Sequence, residues 1–145
     1  IVRGGAVYHG ANWSAGEFGM IYMSGEYYEN IASVTRLVEQ AKAMDASLCD
    51  GRTITANLDR SDVRVLVDGW AKQVAEGLAS LIHIFNPACM IIGGGIMEDE
   101  NVFNMVTSKV SELTAPGFDV NIRSARFGNS AGLIGAGILA QKLMK

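Results

Sequence analysis

Cysteine is nearly absent from this chain, with Cys49 and Cys89 the only two in 145 residues. They form neither a C-x-x-C pair nor the dense framework that staples small secreted domains, so a reducing compartment, the cytoplasm, is expected. Histidine is equally rare. His9 and His83 lack metal-ligand spacing, and His83, late in a helical stretch, reads as a packing residue or a partner for a helix C-terminus. Basic residues are not in excess: 12 Lys and Arg stand against 15 Asp and Glu, a net charge of −3 that offers a polyanion no surface. Nucleic acid is therefore not an expected partner. No apolar run approaches the roughly 20 residues that span a bilayer, so neither a transmembrane helix nor a membrane partner is expected. The first residues, Ile1-Val2-Arg3-Gly4-Gly5, lack an initiator Met and the charged-then-apolar plan of a signal peptide, and read as the interior of something longer.

What is present is enough for a core. Nearly half the residues are apolar, and a chain of this length buries roughly 70% of its unfolded surface, so one domain is expected. Ala6-Val7-Tyr8, between glycines, reads as a short strand. Ile31, Val34, Leu37, Val38 and Ala41 recur at helical spacing and predict one helix from Glu26 to about Asp45. Residues 46–60 read as a connection with a brief helical turn. Ser61-Asp62 then offers an N-cap, and Val63, Val67, Trp70, Val74, Leu78, Ile82 and Phe85 mark a long helix that Asn86-Pro87 ends.

Ala88 to Ile92 is a continuous apolar run stopped by three glycines, the pattern of a strand buried on both faces of a parallel sheet. A helix over 101–114, a strand over 118–127 with one more polar face, and a helix from Ala131 to Leu143 complete the order. Strands alternating with helices predict an α/β layer. Gly132, Gly135 and Gly137 each cost the last helix about 1 kcal/mol, which close approach of a backbone or ligand would justify.

Three places could carry chemistry. Glu17 lies on a glycine-flanked loop directly after a strand, where a carboxylate can accept hydrogen bonds from vicinal hydroxyls; from spacing alone the plainer reading is a solvated acid or a helix cap. Glu29 opens a predicted helix, where the dipole favours an acid whether or not it binds anything. Gly93, Gly94 and Gly95 follow a buried strand, at the edge where open α/β sheets take ligands, but match neither a P-loop nor a dinucleotide fingerprint.

Three segments together resemble one family. Gly10-Ala11-Asn12-Trp13-Ser14-Ala15-Gly16-Glu17-Phe18-Gly19 is similar to the G-A-x-x-x-A-G-E-x-G segment of ROK (repressor, open reading frame, kinase) proteins. Asn86-Pro87 with Met90-Ile91-Ile92-Gly93-Gly94-Gly95-Ile96 resembles the family's N-P-x-x-I-V-I-G-G-G-I, and Ser130 to Ala136 its A-x-L-I-G-A-A helix. The resemblance implies the C-terminal lobe of an actin-like, ribonuclease-H-like ATPase fold without its N-terminal lobe. It implies a domain over 1–145 whose terminal helix, from about 129 to 145, packs toward that other lobe. Glu17 and Glu29 would contact sugar hydroxyls, and Gly93 to Gly95 would lie near the adenosine of ATP, with Mg2+ serving the intact protein. A homodimer is the assembly considered.

Two departures qualify the resemblance. The family's zinc-binding histidine three residues after the first glutamate is Met20 here, and the cysteine cluster before the second glutamate is replaced by the shorter Met23-Ser24-Gly25-Glu26, so no zinc is expected. Family kinases also carry a D-x-G-G-T phosphate loop, an Asn-Asp pair whose aspartate is the base, and a second phosphate segment whose tail Ile1-Val2 resembles. The base is thus expected upstream, no catalytic residue is assigned in this chain, and alone it is expected to be inactive. The expected function of the intact protein is ATP-dependent phosphorylation of a hexose or glucoside hydroxyl. The alternative is the effector-binding domain of a sugar-responsive repressor.

Overall fold

The computed structural model describes residues 1–143. Two short antiparallel hairpins come first, β1 (Val2–Arg3) with β2 (Ala6–Val7), and β3 (Tyr22–Met23) with β4 (Glu26–Tyr27). Helices α1 (Tyr28–Ala32), α2 (Val34–Met44), α3 (Gly51–Thr55) and α4 (Ser61–Phe85) follow. Strand β5 (Cys89–Ile92), α5 (Glu100–Leu113), β6 (Asn121–Ser124) and α6 (Ala131–Leu143) close the order. β5 and β6 pair in parallel, with Cys89 opposite Asn121 and Ile92 opposite Ser124. Strand–helix–strand order and parallel pairing are those expected of an α/β layer.

The core lies along α4. Val63, Val67, Trp70, Val74 and Ile82 of α4 pack with Val102, Val106 and Val110 of α5, and with Leu37 and Ala41 of α2. Fully burying one such side chain contributes about 1.5–3 kcal/mol, far more than the helix propensity that valine lacks. Asp99 starts α5 by accepting hydrogen bonds from the backbone N–H groups of Asn101 (2.9 Å) and Val102 (3.2 Å). Asp50 and Thr53 close a reciprocal capping box at α3, the brief helical turn expected in the connection.

Four expectations need correction. The helix expected over 26–45 is broken at Ser33, which is extended (φ −69°, ψ 152°) and accepts a hydrogen bond from Arg36 N–H at its hydroxyl, so the chain restarts as α2. The residues before Tyr28 belong to β4. The long helix is capped at Arg60 and not at Ser61, because Arg60 is extended (φ −70°, ψ 129°) and Ser61 is already within the helix. The expected strand over 118–127 shortens to Asn121–Ser124. Finally, β5 is not buried on both faces: Ile92 faces the core and is buried, but Ile91, on the opposite face, is 68% exposed.

Arg60 ties the end of α2 to the start of α4. Its guanidinium donates to Asp45 (2.7 Å) and, in a two-pronged contact, to Asp62 (3.2 and 2.9 Å). The Asp45 carboxyl is held well below the usual carboxylate range, first by Arg60 and then by the Ser47 hydroxyl and N–H. A lowered native pKa stabilises the fold above the unfolded value of about 3.9 and ceases to do so as pH falls through the native one. Asp45→Asn is therefore expected to lower the melting temperature at pH 7 and to converge on wild type toward pH 2. Thermal melts at both pH values check this; an undiminished difference at pH 2 would show that the charge is not the cause.

Candidate functional site

The loop before β3 is shaped by its own backbone. Ala15 N–H donates to the His9 carbonyl (3.1 Å), and Phe18 to Met20 form one 310 turn closed by Met20 N–H to the Glu17 carbonyl (3.1 Å). The Phe18 ring packs 5.7 Å from Phe85 at the end of α4, which pins the turn to the body of the fold. Glu17 is exposed at the head of this turn, and its side chain makes no capping hydrogen bond, so the helix-cap alternative left open by spacing is not realised.

Glu29 is exposed in the first turn of α1. The hairpin β3–β4, turning at Ser24 and Gly25 (φ 55° and 86°), spans the gap from the Glu17 turn to α1. Tyr28 N–H then donates to the Ile21 carbonyl (2.8 Å), which brings the two segments side by side. The result is a close approach: a Cβ on Gly19 would stand 3.1 Å from both Cβ and Oε2 of Glu29. A side chain at Gly19 would need Glu29 to give way by a few tenths of an ångström, and the Glu29 carboxylate lies near a residue only two positions past Glu17. The segments that carry the two acids, 12 residues apart in sequence, are thus neighbours.

Gly93, Gly94 and Gly95 form a separate feature at the carboxyl end of β5. Ala125 N–H donates to the Ile92 carbonyl (2.9 Å), Gly94 adopts φ 118°, and Gly95 begins a 310 turn through Glu98. Gly95, Ile96, Glu98 and Asp99 form one wall of a groove of about 600 Å³ whose other wall is Asp50, Gly51, Arg52 and Thr55 around α3. That volume is the size of a small-molecule site. Gly93 and Gly94 shape the turn rather than line the groove.

His83 is a packing residue: its Nε2 accepts from Ala115 N–H (2.9 Å) and its ring meets Phe118 edge-on at 5.0 Å. Nothing among the described residues approaches within 4 Å of a Cβ placed on Gly132, Gly135 or Gly137. Among the described residues no group of three His, Cys, Asp or Glu could hold a metal ion, and no helix is long and apolar enough to cross a membrane.

Sequence reasoning missed the support beneath Glu29. The Tyr28 hydroxyl donates to the Val74 carbonyl (2.7 Å), and its ring occupies the space a Cβ on Gly77 would need. Trp70 Nε1 donates to the carbonyls of Ala32 (2.9 Å) and Ser33 (3.2 Å). The only signal was Gly77 itself, a glycine in the interior of a strongly periodic helix, which costs about 1 kcal/mol unless something packs on it.

Comparison with known proteins places this geometry. A sequence profile of the ROK family matches residues 1–143. An uncharacterised protein of Clostridium perfringens is 31% identical over 144 residues, covering 94% of this chain and 49% of that protein. An N-acetylmannosamine kinase of Salmonella newport is 31% identical over 115 residues, covering 78% of this chain and 39% of the kinase. The chain thus spans half or less of the curated relatives it matches. Among solved structures, a ROK hexokinase from Thermus thermophilus superposes with a TM-score of 0.80 at 26% identity, over 93% of this chain and 50% of that one. A ROK family glucokinase from Streptomyces griseus, in complex with glucose and AMPPNP, gives 0.85 at 24%, over 98% and 56%. The expected α/β lobe of an actin-like ATPase is the fold found, and on the match along nearly its whole length the chain belongs to the ROK family.

Proposed function

We propose that this chain is the sugar- and nucleotide-binding C-terminal lobe of an ATP-dependent sugar kinase that phosphorylates a hexose or glucoside hydroxyl. The observation that carries the reading is the placing of the Glu29 side chain beside Gly19, in the turn that Glu17 heads. Two carboxylates on adjoining segments can accept hydrogen bonds from several neighbouring hydroxyls, which orients a sugar and leaves one hydroxyl free to attack. The relatives named as N-acetylmannosamine kinase, hexokinase and glucokinase support the reaction class, and the glucokinase with bound glucose and AMPPNP supports the ligand pair.

The groove between Gly95 and α3 is the candidate place for the adenosine end of ATP, being open, of suitable volume and lined by polar groups beside Ile96. Mg2+ is expected to bind with the phosphates of ATP in the intact protein. The attacking hydroxyl needs a base, expected outside this chain, and no step of proton transfer is assigned to Glu17 or Glu29. The domain reading follows: α6 exposes Leu133 (80%) and Leu139 (62%), an apolar surface suited to packing against the rest of a longer kinase. Residues 144 and 145, which complete the expected terminal helix, lie outside the described residues.

ADP release by the full-length protein, measured against a panel of hexoses and glucosides, tests the reading. Sugar-dependent turnover with at least one of them is expected. Sugar binding without turnover would favour the repressor-type effector domain, and neither binding nor turnover would refute a sugar site.

A further inference from the structure

We propose that Tyr28 and Trp70 are positioning residues for Glu29, clamping α1 onto α4 through a notch that Gly77 leaves open; this rests on the sugar-kinase reading above. Helix α1 has five residues, far too few to hold a helical shape unaided. Its register and tilt must come from outside, and with them the direction of the Glu29 carboxylate.

The outside support is a single stripe of α4. Trp70, Val74 and Gly77 stand at i, i+4 and i+7 and so share one face. Each acts on a different part of α1. Trp70 donates from its indole to the carbonyls of Ala32 and Ser33, fixing the C-terminal end and the extended residue that separates α1 from α2. The Val74 carbonyl accepts the Tyr28 hydroxyl on its second lone pair, fixing the N-terminal end. Gly77 admits the Tyr28 ring, which any side chain would displace.

Glu29 follows Tyr28 directly, and its side chain lies beside Gly19. It is therefore placed by a neighbour anchored across 46 residues of chain. Burial and the nearby Glu76 push the Tyr28 phenol up to about 12, so its hydroxyl remains a donor through the neutral range.

The geometry makes an unusual sign prediction. Alanine favours a helix over glycine, so a purely local effect of Gly77→Ala would be stabilising. Displacing Tyr28 reverses that locally and turns Glu29 away from the sugar. Gly69 lies in the same helix with nothing within 4 Å of its missing Cβ, and Gly69→Ala is the matched control.

Steady-state kinetics of the full-length protein, with sugar and ATP varied separately, test the clamp. Gly77→Ala is expected to raise the sugar KM about tenfold and Tyr28→Phe about three- to tenfold, with the ATP KM within about twofold of wild type. Gly69→Ala should match wild type. Gly77→Ala combined with Tyr28→Ala should be no worse than Tyr28→Ala alone, because the ring that alanine displaces is gone. A sugar KM unchanged in Tyr28→Phe while Glu29→Gln raises it would overturn the clamp and leave the sugar site standing. Equal rises in both KM values would do the same. If Gly77→Ala fails to fold, Tyr28→Phe, which removes one hydroxyl, still decides. An unchanged sugar KM in Glu29→Gln would remove the sugar site, and the clamp with it.

Discussion

Replacing Glu17 by glutamine in the full-length protein is expected to weaken sugar binding by about tenfold to more than a hundredfold. The turn that presents Glu17 is closed by its own backbone and pinned through Phe18 against Phe85, so the backbone beneath the carboxylate is preorganised. It makes no cap to the turn, which leaves its acceptor capacity free for hydroxyls. Hydrogen bonds to a charged acceptor contribute roughly 1.5–3 kcal/mol each, which converts to the stated range. Glutamine keeps the shape and removes the charge. Calorimetric titration with the sugar that turns over should compare wild type, Glu17→Gln and the exposed control Glu112→Gln, with circular dichroism confirming each fold. Equal affinity for Glu17→Gln and the control would return Glu17 to a solvated loop acid.

The second large effect is on stability. Leu37→Ala is expected to cost about 2–5 kcal/mol, because the side chain is wholly buried where α2 meets α4 and the cavity would have little means of closing. For a chain of this size that is a melting shift on the order of 10 °C. Trp70, 3% exposed in the same cluster, is a convenient reporter, since its emission should shift to the red as the core opens. Val65→Ala, at a side chain 73% exposed on α4, should move the midpoint by less than about 0.5 kcal/mol. Denaturant unfolding that separates the two variants supports the packing of α2; indistinguishable midpoints would contradict it.

These expectations bear unequally on the two acids, and the difference was not visible in the chain. Glu17 depends on a turn made within 13 residues, from His9 to Ile21, whose glycine spacing is readable. Glu29 depends on α4. Its helix was expected to run unbroken to Asp45, because Ile31, Val34, Leu37, Val38 and Ala41 keep helical phase straight through the break at Ser33. Apolar phase reports which side faces the core, and both α1 and α2 face the same core, so periodicity could not register the interruption. A serine followed by a helical run is also an N-cap signal, and Trp70 adds hydrogen bonds to the carbonyls at the interruption that the sequence does not show.

The glycine turn shows the same division. Its position after an apolar strand and before α5 was legible from Asn86-Pro87, the run to Ile92 and three glycines in succession. Its groove was not, since the opposite wall comes from Asp50 to Thr55, some 40 residues earlier. Likewise β5 looked buried on both faces because Cys89-Met90-Ile91-Ile92 contains no polar residue, yet Ile91 is exposed. Composition says what a strand could bury, not what lies beside it.

By itself the sequence determined the long helix α4, the parallel strand–helix–strand unit, the Glu17 loop and the family, because stops, caps and periodicities act over a few residues and leave their marks in order. The tertiary structure alone decided that Glu29 meets Gly19, that Tyr28 fills the notch at Gly77, and that α1 ends under Trp70. Those are contacts between residues 10 to 49 apart in sequence, and they depend on how side chains fill one another's space once the core along α4 has formed.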